Sequence, residues 1–495
     1  MGALPPSRRT MSPTMRIAMV ASECEPWAKT GGLADVVDAL SRALALPEPA
    51  GSAHEVDVYL PWHRGLTPPT ELVPLKLRVP VGSPSGEPRH EMVTLWSGQA
   101  DGYRLRLVEH APSFDRDSYY MDGGSDYTDN PARFTLLGRA ALEAIRAEAR
   151  PVDVIHGHDW QAGPALLSLR HRYGGDPLLA SAATMLTCHN LAYHGWTPRE
   201  DAWQLDLPKG IGKHDGIDLL REAINVADMV NTVSPNYARE SLTPEFGGGL
   251  DDALRARGDR YIGIINGIDT GLWNPATDAT LVAPYDGTDL APKALTKVDL
   301  MERNGLDPDG PLLGVIGRLD PQKGFDLVTE AAPELVAMGA RLIVLGTGHP
   351  ELVAGLQTLA ADHPDRIAVL ERFDRDEARR IYAGADLFLM PSRFEPCGQG
   401  QIISMRYATP PVVRASGGLA DTVIDADEHP DGGTGFVFGP AAPEAFVDAV
   451  RRALAAMDDQ ARFRGIQAAG MARDHSWRVP AGEYEAAYRR AISER

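Results

Sequence analysis

Cysteine is nearly absent. Three residues, Cys24, Cys188 and Cys397, are spread over 495 positions. An odd, sparse set builds no disulfide framework and no zinc-ligand spacing, and it suits a reducing cytosol. Positive charge is also short, with 49 Lys and Arg against 68 Asp and Glu and a formal net charge of -19. Sequence-independent binding of nucleic acid needs basic stripes, so that class is excluded, and adhesion to an anionic membrane with it. No apolar run is long enough to span a bilayer. Residues 1–14 hold Pro5, Pro6, Arg8 and Arg9 but no apolar core, so they read as a disordered lead and not as a signal peptide. The expected setting is cytoplasmic, with no nucleic acid and no membrane as partner.

What is present is a repeated pattern of strand, loop and helix. At about 100–200 residues per domain, the length allows two to four domains. Short apolar runs at 16–21, 54–60, 152–156, 184–188, 229–233 and 261–265 read as strands. Leu33, Val36, Val37, Leu40 and Leu44 follow the first run at helical spacing. Residues 72–109 alternate like antiparallel β and read as an insertion. A second series starts near Pro311, with strands at 312–316, 342–345, 367–370, 387–390 and 411–413 and helices at 325–338 and 378–383. Alternating βα units predict parallel sheets with right-handed crossovers. Two series predict an α/β chain of two doubly wound Rossmann-like domains facing a cleft. The expected boundaries are 15–275 for the first domain, 276–295 for a linker with Ala283-Pro284 and Ala291-Pro292, and 296–475 for the second. Residues 476–495 are expected to form a helix packing back on the first domain.

In open parallel sheets, ligands sit beyond the carboxyl ends of the strands, so the loops after strands carry the chemistry. Lys29-Thr30-Gly31-Gly32 opens the first helix. Glycines let a backbone approach a ligand closely, and a helix N-terminus suits phosphate. On the string alone, a tight turn with an exposed lysine is an equally good reading. Arg318 and Lys323 stand on one loop after the first strand of the second series. In so acidic a chain, such a pair points to a phosphate grip, although a salt bridge to Asp320 or Asp326 would also account for them. The loop 391–401 holds Glu395, a carboxylate able to accept sugar hydroxyls, with Gly398 and Gly400 able to present N–H groups. Cys397 reads as a small buried filler. Ser416-Gly417-Gly418 echoes the opening motif. His158-Asp159 and His189-Asn190 end strands of the first series and suggest a polar cleft. The dinucleotide fingerprint, the P-loop and G-x-S-x-G are missing. Asp374/Asp376 and Asp425/Asp427 are chance pairs in an acid-rich chain, so neither a metal nor a cofactor is expected.

Taken in order, these motifs resemble the glycogen/starch synthases, retaining glucosyltransferases of the two-Rossmann (GT-B) architecture. The resemblance runs from Met15 to the C-terminus. It rests on Ser22-Glu23, Lys29 to Val36, Tyr127-Thr128-Asp129-Asn130, His158-Asp159-Trp160, His189-Asn190-Leu191-Ala192-Tyr193, Val233-Ser234-Pro235 and Ile265-Asn266-Gly267-Ile268-Asp269. In the second half it rests on Gly317-Arg318-Leu319, Gln322-Lys323-Gly324, residues 391–398 and Gly417 to Val423.

The resemblance implies transfer of glucose from ADP-glucose to the non-reducing end of an α-1,4-glucan, with retention. A related enzyme using another nucleotide-glucose, or a small acceptor such as glucose 1-phosphate, is the alternative. It implies catalytic roles for Glu395, His189, Arg318 and Lys323. Donor contacts would come from Lys29, Gly31, Gly32, Asn266, Phe373, Cys397, Gly398, Gly400 and Gly418. Glu23, Asp159, Asn190, Tyr127 and Asp129 would face the acceptor or its sugar. The chain departs from the family at Gln399, where Leu is frequent, and Gly400 supplies no hydroxyl.

Overall fold

The computed structural model describes residues 14–46 and 53–495. The expected N-terminal lead lies outside the described residues, apart from its last position. The chain folds as two units. One comprises Met1–Thr232, Gly247–Ile262 and Trp477–Arg495, the other Val233–Phe246 and Gly263–Ser476.

The first unit is built on a nine-stranded sheet. Its strands are β1 (Arg16–Val20), β2 (Glu55–Pro61), β3 (Val73–Val81), β4 (Arg89–Gln99), β5 (Arg104–Glu109), β6 (Val154–His158), β7 (Ala183–Cys188), β8 (Met229–Thr232) and β9 (Tyr261–Gly263). Their spatial order is β9-β8-β7-β6-β1-β2-β5-β4-β3. Strands β1 and β6 are buried along their whole length, as expected of parallel strands covered on both faces. Ile17 stands beside Val56 on one side and Val154 on the other. The chain leaves β1 for β2 and later returns to β6 on the opposite side, so the order reverses between β1 and β6.

Residues 72–109 differ from the expected insertion by extending the main sheet. Strand β5 runs parallel to β2, with Asp57 beside Arg104, and β4 and β3 then add antiparallel. Antiparallel pairing leaves one face solvated, which is why β3 alternates exposed and buried residues along much of its length. The closing helix, Arg478–Ser493, belongs to this unit. It buries Tyr484 and Tyr488 against the sheet, with Tyr488 Oη 2.7 Å from His156 Nδ1.

The second unit has six parallel strands, β10 (Leu312–Ile316), β11 (Arg341–Leu345), β12 (Ile367–Leu370), β13 (Leu387–Met390), β14 (Pro411–Arg414) and β15 (Phe436–Phe438), in the order β12-β11-β10-β13-β14-β15. Three residues make too short a run for β15 to show in the sequence. The reversal lies between β10 and β13. The helix Phe325–Ala337 lays Phe325, Val328, Ala332 and Leu335 on Leu342 and Val344.

Residues 276–295 are packed into this unit and form no free linker. Tyr285 Oη donates to Tyr407 O at 2.8 Å, and Asp278 accepts from Tyr407 Oη at 2.5 Å. Buried Lys293 donates to Ala383 O and Thr409 Oγ1, both at 2.6 Å, and burial lowers its ammonium to about 7. The units therefore divide at Ile262, not at 275, and Val233–Phe246 belongs to the second unit as well. Its helix Pro235–Glu240, capped by Ser234, packs on the helix Gly417–Thr422. Among the described residues, no helix is long and apolar enough to cross a membrane.

Candidate active site

In each unit, chemistry-bearing residues gather where the strand order reverses, the position at which open α/β sheets bind ligands. In the second unit, the loop after β10 carries Arg318 and Lys323, and the loop after β13 carries Glu395. Lys323 Nζ meets Glu395 Oε2 at 2.6 Å, and Ser392 Oγ donates to the same oxygen at 3.1 Å. Glu395 is only 5% exposed. A buried carboxylate needs a paired cation and hydrogen bonds to remain charged, and it has both.

The two loops are stapled together. Arg393 N donates to Gln322 O at 2.8 Å, and the Arg393 guanidinium grips both oxygens of Asp326 at 2.6 Å. Gly324 has φ +72°, and a Cβ there would lie 2.2 Å from Pro391 O, so only glycine lets the backbones touch. Gly417, at φ +45°, is pressed on Glu395 O in the same way. A pocket of about 130 Å³ lies beside the pair, lined by Lys323, Glu395, Tyr382, Ser392, Gly398 and Gly400 among others. Arg318 is half exposed at the rim, 2.6 Å from Asp320.

The remaining expected donor residues of this unit are placed differently. Gly418 N donates to Glu395 O at 3.0 Å, and Gly417 N donates to the Glu240 carboxylate, so neither N–H is free. Asn266 and Cys397 are buried against each other, and burial pushes the thiol up to about 12. The Cys397 carbonyl accepts from Gln401 Nε2 at 3.1 Å. Phe373 is 80% exposed in a loop outside the pocket.

In the first unit, Glu23 follows β1, His158 and Asp159 stand at the end of β6, and His189 follows β7. Glu23 lies against the opening glycine loop. Its carboxylate accepts from Thr30 N, from Thr30 Oγ1 at 2.6 Å and from Gly31 N at 3.2 Å. The protein's own carboxylate thus takes the two backbone N–H groups just ahead of the helix Gly32–Ala45. Tyr120 Oη donates to the same carboxylate at 2.5 Å, a partner 97 residues away that no local pattern announces. Lys29 is held by Asp35 at 2.5 Å and Glu25 at 3.4 Å. Gly31 and Gly32 have open space around them.

His189 and His158 stack, with Nδ1 of His158 3.1 Å from Nε2 of His189. Burial holds His189 at about 3 and His158 well below the usual histidine value, so both are neutral at pH 7. Asp159 accepts from His189 N at 2.6 Å, and burial raises its carboxyl to about 7. The Asn190 side chain accepts from Ala192 N in a local turn. Tyr127 and Asp129 are committed elsewhere. The Tyr127 ring lies against the guanidinium groups of Arg116 and Arg133, and Asp129 pairs with Arg116 at 2.5 Å.

The starch synthase catalytic domain family matches residues 16–256, and glycosyl transferases group 1 matches residues 297–467. The glycogen synthase of Anaeromyxobacter dehalogenans is 45% identical, over 96% of this chain and 99% of its own. Glycogen synthase 2 of Geobacter sulfurreducens is 41% identical, over 97% and 100%. The chain belongs to the glycogen and starch synthases. It is a glucosyltransferase of that family, with the family's GT-B fold. A solved catalytic domain of starch synthase IV from Arabidopsis thaliana, bound to ADP and acarbose, superposes with a TM-score of 0.87 at 32% identity, covering 97% of this chain and 100% of that one.

Ser392, Tyr382 and Gln401 were not singled out in the sequence. Ser392 could have been found as the one hydroxyl of the Glu395 loop. Gln401 ties Cys397 O, Gly398 O and Thr422 Oγ1 together, and nothing in the string distinguishes it from a solvated helix residue.

Proposed function

We propose that the protein transfers glucose from ADP-glucose to the non-reducing end of an α-1,4-glucan with retention, in the cytoplasm. The ADP and acarbose held by the Arabidopsis relative support a nucleotide-sugar donor and a glucan acceptor. The observation that carries the reading is the Lys323–Glu395 pair at the β10/β13 reversal.

Lys323 and Ser392 occupy Oε2 of Glu395, which leaves Oε1 for glucose hydroxyls. As the bond from C1 to the diphosphate breaks, negative charge grows on the leaving oxygen. Lys323 and Arg318 lower that barrier by being fixed before the charge develops. The acceptor hydroxyl attacks from the leaving side, and the departing phosphate takes its proton. Asn266, Cys397, Gly398, Gly400 and Gly418 shape the donor loop. Lys29, with Gly31 and Gly32, acts as a donor clamp once it leaves Asp35. His189, Asp159, Asn190 and Glu23 serve the sugar and acceptor, with Tyr127 and Asp129 further out and Phe373 toward the base. Labelled ADP-glucose should lengthen glycogen faster than labelled UDP-glucose does. No incorporation from either donor would sink the reading.

A further inference from the structure

Behind β6, β7 and β8 runs a hydrogen-bond chain with one possible direction. Asn231 Nδ2 donates to Tyr484 Oη at 3.0 Å and to Thr232 O at 3.3 Å, which turns Oδ1 toward Thr187. The single Thr187 proton goes to that oxygen at 2.6 Å. Thr187 Oγ1 must then accept from His156 Nε2, 2.7 Å away, and His156 Nδ1 is left to accept from Tyr488 Oη at 2.7 Å. His156 is thereby fixed as the Nε2–H tautomer, and its ring lies over His158 at 4.2 Å without bonding it.

His158 is fully buried, and its Nε2 has no hydrogen-bond partner among the described residues. Its other nitrogen faces His189 Nε2. One proton sits between them. A buried N–H without an acceptor is the rarer and costlier orphan, so Nε2 of His158 is the bare nitrogen and Nδ1 carries the proton. We propose that His158 is a positioning residue that fixes the proton of His189 on Nδ1, so that His189 meets its ligand as a hydrogen-bond donor and not as a base. This rests on the sugar-binding role proposed above for His189. His189 is half-buried, and its Nδ1 has no protein partner among the described residues. A neutral donor there can hold a sugar hydroxyl without competing for the acceptor's proton.

The test is a nitrogen and carbon NMR spectrum of the full chain labelled at histidine, with His189→Gln used to assign the signal. Wild-type His189 should show the Nδ1–H tautomer and His156 the Nε2–H tautomer. His158→Leu should move His189 toward Nε2–H and lower kcat about tenfold, the worth of one hydrogen bond, with donor KM changed less than threefold. His158→Asn, whose amide N–H takes the place of Nδ1, should restore both. Should His158→Leu fail to fold, the wild-type spectrum and His158→Asn decide. A wild-type His189 protonated on Nε2, or a folded His158→Leu with unchanged kcat, overturns the proposal. Nδ1–H on His189 in a protein that transfers no glucose overturns only the proposed function.

Discussion

The two reversal points solve opposite problems with similar parts. In the second unit, Glu395 meets Lys323 and Asp320 meets half-exposed Arg318, so the crest presents two cations, each beside an acid. In the first unit, Glu23 takes the backbone N–H groups of Thr30 and Gly31, Lys29 is held by two acids, and the histidines are uncharged. A cationic crest suits a leaving diphosphate. A neutral one, dense with donors and acceptors, suits hydroxyls.

The sharpest way to break this contrast is Lys323→Ala. It removes the cation proposed to face the leaving group and strands a buried carboxylate, so turnover should fall about 10²–10³-fold at saturating donor, while circular dichroism still reports a folded chain. Glu395→Ala should cost about 10²-fold in the same assay. Near-normal turnover in either variant would show that the cationic crest is not where the charge develops.

Acid should separate the units next. His63, His156, His158 and His189 are held neutral by burial, at about 4, 3, well below the usual value and 3. Below pH 6.5 an unfolded histidine takes up a proton that these refuse. Their stability is therefore complete above 6.5 and is lost as pH falls, by about 1.4 kcal/mol per histidine per pH unit. Asp159, raised to about 7, and His194, raised by Asp218, work the other way. The second unit has His475, at about 4, as its counterpart. Hydrogen exchange between pH 7.5 and 5.5 should show protection falling faster in the first unit, and equal losses would contradict the assignment.

Lys29→Ala should have a smaller effect. Its ammonium must leave Asp35 and Glu25 to reach a ligand, so donor KM should rise about tenfold with kcat within threefold. A collapse of kcat would move Lys29 from clamp to catalyst. Phe373→Ala should do least. With its ring 80% exposed, its contact with the base is expected to be slight, so donor KM should stay within about twofold, and a larger change would show that the ring packs closely on the donor.

Much of the fold was legible because buried parallel strands are written as short apolar runs, as in β1, β6 and β10. The adjacency of Lys323 and Glu395 was legible as far as both stand after strands of one series, although their 2.6 Å contact depends on the strand order. Other features were not legible, for reasons of distance along the chain. Glu23 captures Thr30 and Gly31 from a strand end, and Tyr120 joins it from 97 residues further along the chain. Residues 72–109 look like a separate module because antiparallel alternation does not reveal that β5 pairs parallel with β2. Nothing in the helix expected over 476–495 announces that Tyr488 meets His156 and Tyr484 meets Asn231.

The closing helix has a consequence for the order of synthesis. His156 receives Tyr488, and Asn231 receives Tyr484, only after Val233–Phe246 and Gly263–Ser476 have been made. A ribosome delivers residues in sequence, and domains generally fold as units during that delivery. On this chain the unit begun first is completed last, so a nascent polypeptide can finish its cationic crest while the histidine network of the other unit still waits for its tyrosines.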